Sequence, residues 1–432
     1  MLGGMRLVIS KRAAAANRLL LASLAVTASG SFAAGRVTLN GRVTNRLGKP
    51  LEDATVMIYH AGVKQGYSTY CPSCYADCGK RTVTDRTGSF TIKSLDPDLW
   101  FELLLIRDGY TATFVNKVDP SRGPAETAAL APRAPVDDPS RVVRGRVVDP
   151  HGRPLRAAVV VPKGVATVLE GLGPACLYAD PIEGLEPAAV TNPKGEFELA
   201  YNKKATGMML RVEARGMAAK LIGVPTGTER QTIIVSGGAV IRGRLVNHGK
   251  PVAGAELGLI ARPRGGFGGN LKIVGNPYDE IRIGTLADGS FVIGNVPAPW
   301  DWYVYGKIES IAALGATDPV ECATARDSEV INVGDIRIYP GHRLRGRVTL
   351  SDGATVADGM RVTISAGRTQ DSQTGIIGHD GHFEFIGLPT GEYEIFTSVR
   401  GYRLQENRRT IETMIDRDID NFAIALESEA RR

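Results

Sequence analysis

One stretch of the chain, Arg144 to Val161 (RGRVVDPHGRPLRAAVVV), recurs in altered form, and that recurrence constrains the fold more than any other feature. Near copies begin at Gly41 (GRVTNRLGKPLEDATVMI), Arg242 (RGRLVNHGKPVAGAELGL) and Arg345 (RGRVTLSDGATVADGMRVTI). Each opens with apolar and polar residues alternating at a period of two, as in a half-buried strand. Turn residues follow, and then a second apolar strand. A chain of 432 residues exceeds what one hydrophobic core serves, and the copies set the number of cores at four.

The repeats give domain limits of 36–132, 142–236, 238–338 and 342–426. Later in each unit comes a second shared pattern. RTVTDRTGSFTI in the first reads as a hairpin: Asp85 and Gly88 suit a tight turn, and Phe90 returns the chain to the core. VTNPKGEFEL in the second, TLADGSFVIG in the third and IIGHDGHFEF in the fourth take the same place. Asp119 to Pro139, rich in Pro, Ala and charge, reads as a linker. Several short alternating strands per unit, regular turns and no amphipathic helix predict an all-β chain of four tandem immunoglobulin-like or transthyretin-like antiparallel β-sandwiches.

Residues 1–33 read as a signal peptide. Arg6, Lys11, Arg12 and Arg18 precede or flank a short apolar run, Leu19 to Ala28, and Ser31-Phe32-Ala33 offers small residues for cleavage. That run is short for a transmembrane helix, and no later stretch approaches spanning length, so no membrane span is expected after cleavage. The expected location is secreted or periplasmic. Cleavage leaves 48 basic against 46 acidic residues, which gives no support for a nucleic-acid partner.

The residues GRVVDPHGRPLRAAVV, VTNPKGEFEL and LRVEARG resemble the carboxypeptidase regulatory-like domain, a transthyretin-like sandwich related in fold to starch-binding-like domains. The resemblance extends over nearly all of the chain after the signal, as four imperfect copies. It implies an accessory β-sandwich and supplies no catalytic residue, cofactor or metal ligand; fold alone does not establish function.

Candidate chemistry lies where the units differ. Cys71, Cys74 and Cys78 fall within eight residues. They could bridge, bind a soft metal or form a redox pair, and the oxidising compartment expected of an exported chain favours a structural disulfide. Cys71 with Cys78 is the preferred bridge, because the closer pair closes a more strained ring. Five cysteines cannot all pair within one chain, and Cys322, alone in a loop of the third unit, is the expected odd one. His379-Asp380-Gly381-His382 invites a metal reading, but Asp380-Gly381 is also what a tight turn demands.

Trp300, Trp302, Tyr303 and Tyr305 form a dense aromatic run. On a strand the two Trp share one face and the two Tyr the other, so one pair is expected in a core and the second either packs or offers rings for stacking on a carbohydrate. Trp100-Phe101 occupies the analogous strand of the first unit. No nucleophile elbow, HExxH or phosphate-binding glycine loop occurs. The expectation is therefore an exported, non-enzymatic scaffold or interaction protein. The alternative is carbohydrate binding by the third unit, with a polysaccharide or another cell-envelope protein as partner.

Overall fold

A computed structural model describes residues 35–64, 75–123, 128–169, 173–177, 182–262, 278, 280–405, 408 and 410–429. The described chain is nearly all β, with short strands in eight sheets and a single-turn helix, Ile308–Ile311. In the first repeat Val37–Asn45 pairs antiparallel with Ser89–Leu95 and parallel with Ala128–Leu130. The facing sheet runs Arg81–Val83, Thr55–Val63, Leu99–Ile106, Thr113–Val118. Ala128–Leu130 lies within the stretch expected to be linker; it closes the first sheet instead.

The other repeats follow the same plan. The opening strands Val142–Val148, Ala239–Asn247 and His342–Leu350 each take an antiparallel partner from the shared turn. Each also takes a parallel partner from the end of its repeat: Arg230–Ile234, Val330–Ile338 and Ile419–Ser428. The sandwiches are thus antiparallel apart from one parallel pair per repeat. Because first and last strands run the same way, the chain enters a repeat at one end of the sheet and leaves at the other, which suits tandem connection.

Each pair of sheets closes over its own apolar cluster. Leu39, Phe90, Phe101 and Leu103 are at the centre of the first, and Val143, Phe197, Leu210 and Val212 of the second. Ile241, Phe291, Trp302 and Val304 fill the third, and Leu344, Phe383, Phe385 and Ile395 the fourth. Burying one such side chain contributes about 1.5–3 kcal/mol.

The recurring glycines follow from this packing. Phe197 stands opposite Gly145 across the strand pair, and a Cβ on Gly145 would lie 2.3 Å from the Phe197 ring. Gly346 meets Phe383 at 2.3 Å in the same way, and Gly243 meets Phe291 at 2.8 Å. The arginine that follows each of two of these glycines ties the strand to the turn: Arg146 Nε donates to Lys194 O at 3.1 Å and Arg347 Nε to Asp380 O at 2.8 Å.

The shared turn is tight, as its residues predict, but it does not make a hairpin. Gly88 N donates to Asp85 O at 2.9 Å, and Asp85 Oδ1 accepts from Thr87 N and Ser89 N. The flanking strands nevertheless belong to opposite sheets, Arg81–Val83 to one and Ser89–Leu95 to the other. Thr84 diverts the chain between them: its buried hydroxyl donates to Leu51 O at 2.6 Å and accepts from Ala54 N at 2.9 Å. Thr191 and Thr285 repeat this latch. Local turn chemistry is the same for an arch as for a hairpin, which is why the residues alone point to the commoner form.

Candidate functional site

The strand Trp300–Gly306 alternates as expected, but both of its faces are buried. Trp300 and Trp302 point into the third core, where Tyr278 packs edge-on to Trp300 with centroids 5.1 Å apart. Trp302 Nε1 donates to Thr324 Oγ1 at 3.1 Å. Tyr303 and Tyr305 form a second cluster with Ile260 on the opposite face. None of the four offers an open ring to a ligand: the residues expected to stack on a sugar are spent, two in the core and two in a joint.

That joint is made with the fourth repeat. Two guanidinium groups approach the Tyr303 ring, Arg262 of its own repeat at 5.9 Å and Arg368 of the next at 5.2 Å from the centroid. Glu321 holds both, Arg262 Nη1 at 2.9 Å and Arg368 Nη2 at 3.1 Å. Beside them Lys307 Nζ contacts the Asp371 carboxylate and lies 2.8 Å from Glu280 Oε1; Tyr305 also donates to Glu280. Asp371 Oδ2 accepts from Ile308 N at 2.7 Å, which fixes the start of the short helix.

The electrostatics follow from burial and pairing together. Burial works against the charge of Glu280, yet Lys307 and Arg282 outweigh it and hold the carboxyl below its ordinary value. Burial likewise opposes the Lys307 charge, but Asp371 and Glu280 prevail and raise its pKa. For Asp371 burial wins, and its pKa lies above the ordinary range. Burial, then Glu280, pushes the Tyr305 hydroxyl far up. The arrangement is a satisfied charge network, chemically suited to holding two domains in register.

Two further joints are built as firmly. Met57, Leu104 and Ile106, on the outer face of the first repeat, share a cluster with Val159, Ala188 and Val190 of the second. Arg133, in the connection between them, is held by Glu186 at 2.6 and 2.9 Å and by Glu198 at 2.9 Å. Between the second and third repeats, Asn295 Nδ2 donates to Gly216 O and Gly237 O, each at 2.9 Å, and Leu221 packs on the third core.

Residues 343–424 match the carboxypeptidase regulatory-like domain. The fourth repeat is a carboxypeptidase regulatory-like domain. This regulatory-like domain supplies Arg368 and Asp371 to the joint. Residues 13–118 match a family described as dioxygenase. A dioxygenase needs side chains that converge on an oxygen-activating centre. Among the described residues no three of His, Cys, Asp and Glu converge to hold a metal ion, and His60 is engaged through Nδ1 by Glu102 at 2.7 Å.

No curated protein matches the chain. Among solved structures it is similar to the Bacillus anthracis TIE protein (12% identity, 90% of this chain and 73% of the other, TM-score 0.19). It is also similar to a streptococcal ancillary pilin (10% identity, 67% and 99%, TM-score 0.22). A third is BcpA*(D312A), the major pilin subunit of Bacillus cereus (12% identity, 70% and 99%, TM-score 0.17).

The remaining sequence candidates are placed as follows. The expected Cys71–Cys78 bridge lies outside the described residues, because Cys71 is not among them; Cys78 packs half-buried against the first core. Cys322 is half-buried on the strand Val320–Thr324 opposite Trp302. His379 and His382 point to different carboxylates, Asp358 at 2.9 Å and Asp380 at 3.9 Å, around a turn in which Gly381 has φ 83°. Lys307, Asp371 and Glu280 were not distinguishable beforehand. A lone charged residue after a strand carries no mark of its partner 64 positions away.

Proposed function

We propose that the chain is an exported, non-enzymatic scaffold of the cell envelope or its exterior, built of four sandwiches with the limits 36–132, 142–236, 238–338 and 342–426. The observation that carries this reading is the construction of the joints. A flexible string of binding modules needs only polar linkers. Here side chains that could serve a ligand, Tyr303 and Tyr305 above all, are used to fix one domain on the next. Among the described residues no helix is long and apolar enough to cross a membrane. The partner of such a scaffold is another envelope component, protein or polysaccharide.

Limited trypsin digestion tests the reading, since Arg133 and Arg141 lie in the first connection and both carry hydrogen bonds into the second repeat. The expected result is resistance at both sites until the domains themselves unfold. Rapid release of intact single sandwiches would remove the scaffold reading.

A further inference from the structure

The outer face of the sheet containing Leu99–Ile106 is only half covered by the second repeat. Leu104 and Ile106 lie under it, whereas Trp100 and Glu102, on the same face further along the strand, do not belong to that cluster. Trp100 stands opposite Gly62, and a Cβ on Gly62 would be 2.3 Å from Trp100 Cζ2 and 2.5 Å from Cε2, so the indole lies over the glycine backbone. Glycine inside a strand marks just such a close approach.

The register slips between Ile58 and His60, a bulge that places Tyr59 and His60 on this face together. The Tyr59 ring is 4.4 Å from His60 and 5.1 Å from Phe114, which is 40% exposed. Between the rings, His60 Nδ1 and Glu102 Oε2 are paired at 2.7 Å, with side chains 24% and 21% exposed.

We propose that this face, Trp100 to Phe114 with His60 and Glu102, is a carbohydrate-binding shelf on the first domain. The rings and the polar pair together identify the ligand class. A sugar ring presents an apolar C–H face that stacks on aromatic rings, and hydroxyls at its rim that bond a carboxylate and an imidazole. The core of a protein interface is depleted of charge, and a lipid surface penalises a carboxylate among its contacts. Trp100 and the row containing Phe114 are four residues apart along the strand, about 14 Å at strand rise, so the shelf takes an oligosaccharide and not a single sugar.

Tryptophan fluorescence isolates the site, because Trp300 and Trp302 are buried and Trp100 is half-exposed. The full mature chain is titrated with cellohexaose, chitohexaose, xylohexaose and maltohexaose. At least one should give a saturable blue shift, and calorimetry should find that binding lost in Trp100→Ala. Phe114→Ala, at a position 40% exposed, should weaken binding at least 10-fold with unchanged near-ultraviolet circular dichroism, and Glu102→Gln at least 3-fold. The proposal is overturned if none of the four sugars shifts the emission, or if binding measured by calorimetry persists within 2-fold in both Trp100→Ala and Phe114→Ala.

Discussion

Lys307 of the third domain and Asp371 of the fourth meet with their side chains 9% and 1% exposed, so the two domains share a charge pair shielded from water. The pair is asymmetric: without Asp371 the ammonium keeps Glu280 at 2.8 Å, whereas without Lys307 the Asp371 carboxylate is stranded where water cannot replace the lost partner. Lys307→Met should therefore lower the stability of the third and fourth domains by about 3 kcal/mol or more, read as a fall in calorimetric Tm. Replacing both, Lys307→Met with Asp371→Asn, should recover part of that loss, because Asp371 no longer carries a charge and Glu280 keeps Arg282 at 2.6 Å. Equal losses in the single and double variants would show that the pair is not buried as described.

The turn glycines separate two costs. Gly381 and Gly353 both have positive φ, 83° and 73°, but a Cβ on Gly381 would lie 2.2 Å from Val348 O, whereas one on Gly353 meets nothing within 4 Å. Gly353→Ala carries only the left-handed backbone cost of about 1–2 kcal/mol. Gly381→Ala adds a clash with fixed backbone and should be clearly the worse of the two in urea unfolding. Equal midpoints would contradict the close approach.

Thr191 donates to Leu155 O at 2.6 Å and accepts from Ala158 N at 2.9 Å inside the second domain. Thr191→Val keeps the shape and leaves both backbone groups without this partner, at about 1–3 kcal/mol. The expected readout is faster amide hydrogen exchange at Ala158. Unchanged exchange would mean that the threonine does not hold the crossing between the sheets.

The thiol of Cys322 is pushed by burial, and further by Asp301, from an ordinary value of 9.0 to about 11. A raised value in the folded state contributes stability that is complete below pH 9.0 and lost as pH climbs through about 11. Stability should therefore fall across that interval, and Cys322→Ala should flatten the slope in urea midpoints measured at pH 8 and 10. At pH 8 the thiol should react slowly with iodoacetamide. Fast labelling in the folded chain would overturn the assignment.

Much of the fold was legible because the chain repeats itself. Gly145 with Phe197 and Gly346 with Phe383 show why: the repeated glycine and the repeated phenylalanine are the two halves of one contact. The alternation of Trp302 and Tyr303 between two faces was equally plain, since strand period alone decides it. What covers the second face was not. Tyr303 reads the same in sequence whether water, a ligand or Arg368 lies over it. The crossing at Thr84 was hidden for a related reason: Asp85 and Gly88 specify a tight turn, and only the distant partners Leu51 and Ala54 send the next strand to the other sheet.

The central claim, that neighbouring domains are fixed and not loosely strung, is tested most directly by 15N relaxation of the deuterated chain. If the joints hold, backbone amides of the third domain, such as Leu259, and of the fourth, such as Ile364, report one common rotational correlation time. Asp371→Asn should begin to separate them. A fourth domain that tumbles in the wild-type chain with the shorter time of an independent sandwich would contradict the account.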